Sequence, residues 1–155
     1  MRIVIATVIL MLGLAHFQTA KEENGGRFVL PNPKLLRCRS SDCFNLWLED
    51  RHADAVFPKQ LRIDMNQDCI YGLEAVYDKS VSMHDIELAI DEHYLGSKYT
   101  DFEKYSIRLW RVEPEKFAIQ LSVADKKDEK RNVAEAGATH VIYIAFGGRS
   151  ACNIP

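Results

Sequence analysis

Excess positive charge is missing from this 155-residue chain: 20 Lys and Arg stand against 22 Asp and Glu, a formal net charge of −2. A nucleic-acid binder draws its affinity from neutralising phosphates and shows a basic surface, so that class is set aside. A hydrophobic run long enough to cross a bilayer is missing as well. The apolar stretch from Ile3 to Ala15 falls short of the ~20 residues a spanning helix needs. Glycine and proline are few, 8 and 5, and 47% of residues are hydrophobic. That composition argues against bulk disorder and for a packed core. Local catalytic signatures are missing too. There is no Gly-x-Ser-x-Gly elbow, no glycine-rich phosphate loop and no His-Glu-x-x-His helix. Gly147-Gly148-Arg149 is too short to cradle a phosphate. A serine triad leaves no such local mark, because its members assemble from distant positions, and that chemistry stays open.

The amino terminus points to export. Arg2 precedes the apolar stretch, and small residues follow it, which is the pattern of a secretory signal. A signal peptide is expected over residues 1–20, cut after Ala15 or Ala20, with Gln18 at a position that usually holds a small residue. The mature protein is then secreted or periplasmic and keeps no stable membrane span. Residues 21–33 carry Gly25, Gly26, Pro31 and Pro33 without periodicity and read as an irregular arm. Residues 34–155 have the length of one domain.

Export places Cys38, Cys43, Cys69 and Cys152 in an oxidising compartment, where an even count favours disulfides. Four cysteines allow three pairings, and the sequence does not choose among them. The preferred pairing is Cys38 with Cys43 and Cys69 with Cys152. Arg39, Ser40, Ser41 and Asp42 can turn, so the first pair can close a small loop, and the second ties the end of the chain to an early strand. A redox pair usually has two residues between its cysteines and opens a helix; here there are four and no helix signal. Zinc needs a second cluster of ligands, and His16, His52, His84, His93 and His140 are scattered.

Periodicity organises the remainder. LRIDM alternates, with Leu61, Ile63 and Met65 inward. CIYGLEAVYD follows after Asn66-Gln67-Asp68, with Tyr71, Leu73, Ala75 and Tyr77 on one face, so the two runs form a hairpin. SMHDIELAIDEHYL is a helix. Ser82 caps it, Met83, Ile86, Ala89, Ile90 and Tyr94 form its apolar stripe, and Gly96 ends it. YSIRLWRV and FAIQLSVA are strands joined by the turn Glu113-Pro114-Glu115-Lys116. DKKDEKRNVAEAG is a loop or a frayed helix capped by Gly137. THVIYIAF is apolar on both faces and belongs centrally or under the helix. FNLWLED is a possible extra strand in front. The expected architecture is α+β: a small antiparallel sheet of five or six strands, order β-β-α-β-β-β, with one helix on one face.

Two sets of side chains can carry function. His84, Glu87 and Asp91 lie along an acidic helix that has no Lys or Arg, and could hold a divalent cation or pair an acid with a base. The plainer reading is a helix face turned to water. Arg108 and Trp110 share one face of a strand; if that face is open they form a sticky, cation–π-capable patch with Trp47 as a further anchor. The alternative is that Trp110 is core. His93 borders the apolar stripe and reads as a boundary histidine. The expectation carried forward is an exported, non-catalytic small domain that needs no cofactor and binds a protein or cell-envelope component. The alternatives are a small metal-dependent hydrolase on the acidic helix and an exported thiol oxidoreductase using Cys38 and Cys43.

Overall fold

A computed structural model describes residues 28–39, 43, 55–102, 107–132 and 134–153. The expected signal, most of the arm, the FNLWLED strand and Trp47 lie outside the described residues.

The elements are β1 (Gln60–Asn66), β2 (Cys69–Tyr77), α1 (Met83–His93), β3 (Lys98–Phe102), β4 (Ile107–Val112), β5 (Phe117–Val123), α2 (Lys126–Lys130) and β6 (Thr139–Ala145). The strands form one antiparallel sheet in the order β1-β2-β6-β5-β4-β3. The chain is thus a small α+β fold with one main helix. Strand β6, apolar on both faces in sequence, sits centrally between β2 and β5. No periodic pattern marks the edge strand β3. Its KYTDF sequence carries little apolar signal, and Lys98, Tyr99, Thr100 and Asp101 are exposed.

Alternation of strand directions makes β2 and β3 run the same way with three strands between them. The segment joining them therefore has to cross a whole face of the sheet, and α1 is that crossing. Ser82 caps it, its hydroxyl accepting from the His84 backbone N–H at 3.2 Å; this satisfies one of the orphan donors of the first turn. Ile86, Ala89 and Ile90 are buried against the sheet. Gly96, at φ 85°, then takes a left-handed turn that a residue with a Cβ adopts only at a cost.

The inner face, under α1, is built by cross-strand rows. One row runs Leu73, Tyr143, Ile119, Trp110 and Tyr99 from β2 to β3. Phe117 stacks on Tyr143 at 5.4 Å, and Tyr94 meets both rings edge-on. The described end of the arm belongs to this core. It is irregular, but Phe28, Val29 and Leu30 are buried, and Tyr77 donates its hydroxyl to the Val29 carbonyl at 2.5 Å.

Two inward assignments change. Pairing slips between β1 and β2, so that Asp64 faces Gly72 while Met65 faces Ile70, leaving Tyr71 as the extra residue of a bulge. Ile70 takes the buried inner position in its place. The Tyr71 ring lies instead beneath the Arg149 guanidinium, and its hydroxyl accepts from Arg149 Nε at 3.1 Å. Met65 is exposed at the sheet edge.

Disulfides join Cys38 to Cys43 and Cys69 to Cys152, with Cα separations of 6.2 and 5.7 Å, inside the usual range. Both sit at one end of the molecule. The Ile70 N–H donates to the Cys38 carbonyl at 3.1 Å, and Arg39 Nη2 donates to the Cys152 carbonyl at 2.7 Å. The Cys69–Cys152 bridge holds the carboxy-terminal 3-10 turn, Gly148–Cys152, against the start of β2.

Candidate functional site

Four of the residues singled out by sequence, Glu87, Asp91, Arg108 and Trp110, meet on the inner face and pair with one another. Glu87 of α1 accepts from the Tyr99 hydroxyl at 3.0 Å and lies 2.9 Å from Arg108 Nε. The second contact is an ion pair without an aligned hydrogen bond. Arg108 is also 3.9 Å from Asp101 and donates to the Met83 sulfur at 3.4 Å. One turn along α1, Asp91 accepts from Trp110 Nε1 at 2.6 Å. The Tyr99 ring leans on Trp110 at 5.1 Å. Burial, and then the bond to Glu87, push the Tyr99 hydroxyl pKa up to about 12.

This geometry corrects the open-patch expectation. Arg108 and Trp110 do share a strand face, but it is the face that α1 covers, and Trp110 is only 1% exposed. Trp110 is a core side chain whose one polar atom is satisfied by the helix. The acidic side of α1 is likewise only partly turned to water: Glu87 and Asp91 are its contacts with β3 and β4. His84 approaches Glu87 at 3.6 Å from an exposed position, whereas Asp91 is engaged by Trp110. Among the described residues, no group of three His, Cys, Asp or Glu side chains is arranged to hold a metal ion.

The outer face carries a second polar cluster that the sequence did not reveal. Two adjacent cross-strand rows build it. One row runs Gln60, Val76, His140, Ser122 and Ile107; the other runs Arg62, Glu74, Ile142, Gln120 and Leu109. His140 Nδ1 is 2.6 Å from Glu74 Oε1, and Arg62 Nη1 is 3.5 Å from the other carboxylate oxygen. Arg62 Nη2 also donates to Gln60 Oε1 at 3.0 Å. The bond to His140 is the main cause holding the Glu74 carboxyl pKa below its ordinary value, against the opposing effect of burial. Facing a carboxylate, Nδ1 of the neutral ring carries the proton, which leaves a lone pair on Nε2. That Nε2 is buried and has no hydrogen-bond partner.

The connection from β5 to β6 roofs one end of this face. Asp125 and Asp128 cap α2 reciprocally, which is a capping box. Beyond it Ala124, Ala134 and Ala138 pack on Val76. The helix is short, and Gly137, at φ 90°, serves the turn into β6 rather than a helix end. A groove of about 300 Å³ remains between Gln60 and the segment bearing Glu129, Asn132, Ala134 and Glu135. Farther along the face, Ile107, Leu109, Ala118 and Ile142 are half-buried, and Ile144 is 37% exposed.

Arg62, Gln120 and Ser122 alternate outward in their strands and look like ordinary solvent-facing positions in sequence. His140 is one of five scattered histidines. Only the strand order, which places β6 between β2 and β5, brings them side by side. A further cleft of about 260 Å³ lies between the end of α1 and the β4–β5 turn, with Leu95 on its rim. Its Lys98 and Arg111 are balanced by Glu113 and Glu115, which gives it no charge preference. No protein-family model, curated protein or solved structure matches the chain, and its function is read from its own geometry.

Proposed function

We propose that this chain is an exported small domain that binds a protein or cell-envelope partner through the outer face of its sheet. One observation carries the reading. The open face of an antiparallel sheet is normally polar, but here Ile142 and Ile144 on β6, Ala118 on β5 and Ile107 and Leu109 on β4 keep part of their surface accessible, with Gln120 and Ser122 of β5 between the β4 and β6 side chains. Accessible aliphatic surface gathered on one sheet face in this way supports a contact site. Two disulfides suit a protein that works in an oxidising compartment, and the amino-terminal apolar stretch supplies a route there. The binding surface moves from Arg108 and Trp110 to the opposite face of the same strands.

Photo-crosslinking tests it. A benzophenone side chain is placed at Ile144 and, as a control, at exposed Asp85 on α1, and each protein is irradiated in the secreted and envelope fractions of its own cells. The expected result is a discrete adduct from position 144 that is lost when Leu109→Lys is added, and none from position 85. Identical adducts from both positions, or crosslinks from 144 only to the chain itself, would contradict the reading.

A further inference from the structure

We propose that Ser122, His140 and Glu74 form a nucleophile, base and orienting carboxylate that can take an acyl group from a small apolar ester. The proposal adds a reaction to a face read above only as a binding surface, and it stands or falls separately from that reading.

Four adjacent strands present the groups in working order: Arg62 on β1, Glu74 on β2, His140 on β6 and Ser122 on β5. Glu74 fixes the ring by its 2.6 Å contact with Nδ1. Arg62 holds the other carboxylate oxygen and is itself held by Gln60. The two nitrogens of an imidazole face roughly opposite ways. Glu74 on β2 engages Nδ1, and Ser122 is the residue directly across from His140 on its other neighbouring strand, β5. Directly opposed residues share a face, with Cβ atoms about 4.5–5.5 Å apart. The His140 side chain is only 8% exposed, and its Nε2 lacks a donor. Ser122, half-buried, does not donate to Nε2 in the resting structure; the reaction requires its side chain to turn to a rotamer that faces the ring.

The chemistry follows from these positions. Ser122 Oγ attacks the ester carbonyl carbon while its proton passes to His140 Nε2. The bond to the alcohol oxygen breaks, and the leaving alkoxide takes that proton and departs as the alcohol. Water then attacks the acyl carbon and gives a proton to Nε2. The carboxylic acid leaves, and Oγ recovers its proton. Ser122 and His140 are the catalytic residues; Glu74 and Arg62 are positioning residues. Ile107, directly across from Ser122, and Leu109 and Ile142, which flank Gln120 in the next row, give the site apolar sides, which is why the substrate class is a small apolar ester.

The test uses the full-length, disulfide-intact protein and a fluorophosphonate probe, which places phosphorus on an activated serine and releases fluoride. Peptide mapping by mass spectrometry should find the adduct on Ser122, and Ser122→Ala should lose it. His140→Ala should slow labelling on the order of 100-fold, with partial recovery on adding imidazole. Glu74→Gln should lower the maximal labelling rate and leave the half-saturating probe concentration unchanged. Circular dichroism confirms that each variant is folded. A folded wild-type protein that is not labelled at Ser122 overturns the proposal. Labelling at Ser122 that is undiminished in His140→Ala overturns it equally.

Discussion

Trp110 donates its indole N–H to Asp91 across 2.6 Å, from the floor of the sheet to the helix above it. This bond joins a residue expected on a binding patch to one named in a possible cation site, and it gives each a partner within the fold. It also sets a measurable cost. Asp91→Ala leaves a buried indole N–H without its acceptor and should destabilise by about 1–3 kcal/mol in urea unfolding. Trp110→Ala opens a cavity as well and should cost about 3–5 kcal/mol. The double variant should fall well short of the sum of the two, because the second change removes an interaction already lost. Simple additivity would show that the bond contributes nothing.

The Glu74–His140 pair predicts a signature in acid. The folded-state pKa of Glu74 is lowered, first by the hydrogen bond to His140. Its contribution to stability is therefore complete above the ordinary glutamate value of about 4.3 and is lost as pH falls through the folded value. Glu74→Gln should lower the melting temperature at neutral pH and flatten its decline below about pH 4.3. Asp78 and Asp125 are lowered too, Asp78 mainly by Lys59 and Asp125 by the Asp128 and Lys127 backbone N–H groups. Some acid sensitivity must then survive in the variant. A Glu74→Gln protein with an acid profile parallel to the wild type would contradict this account of the pair.

The two disulfides should differ in worth. Their sequence separations are 83 and 5 residues. In the chain-entropy model the large loop contributes about 4–5 kcal/mol and the small one about 2 kcal/mol. Cys69→Ser with Cys152→Ser should therefore lower the urea midpoint about twice as far as Cys38→Ser with Cys43→Ser. The first pair of changes should also release the Gly148–Cys152 turn, seen as faster hydrogen exchange at Asn153, whose N–H is bonded to Ser150. Equal losses from the two double variants would count against this ordering.

Much of the fold was legible because hydrophobic periodicity is local. The alternation of LRIDM and FAIQLSVA and the stripe of Ile86, Ala89 and Ile90 each announce their element without knowledge of the rest. Ser82 and Gly96 mark the helix ends for equally local reasons. Three things were not legible, each for a nonlocal reason. Tyr71 left the inner face because β1 and β2 pair with a slip that no pattern in either strand records. KYTDF became β3 because β4 offers it an edge. Arg108 and Trp110 were assigned correctly to one face, yet which face α1 covers depends on how it crosses the sheet. The outer cluster is the extreme case. Glu74, His140 and Ser122 come from three strands spread over much of the chain, and each looks unremarkable alone.

The account as a whole depends on export and oxidation, and intact-mass spectrometry of the protein recovered from its own cells tests both at once. The prediction is a species outside the cytosol that begins after Ala15 or Ala20 and is four hydrogens lighter than its fully reduced form, as two disulfides require. A full-length cytosolic protein with four free thiols would contradict it.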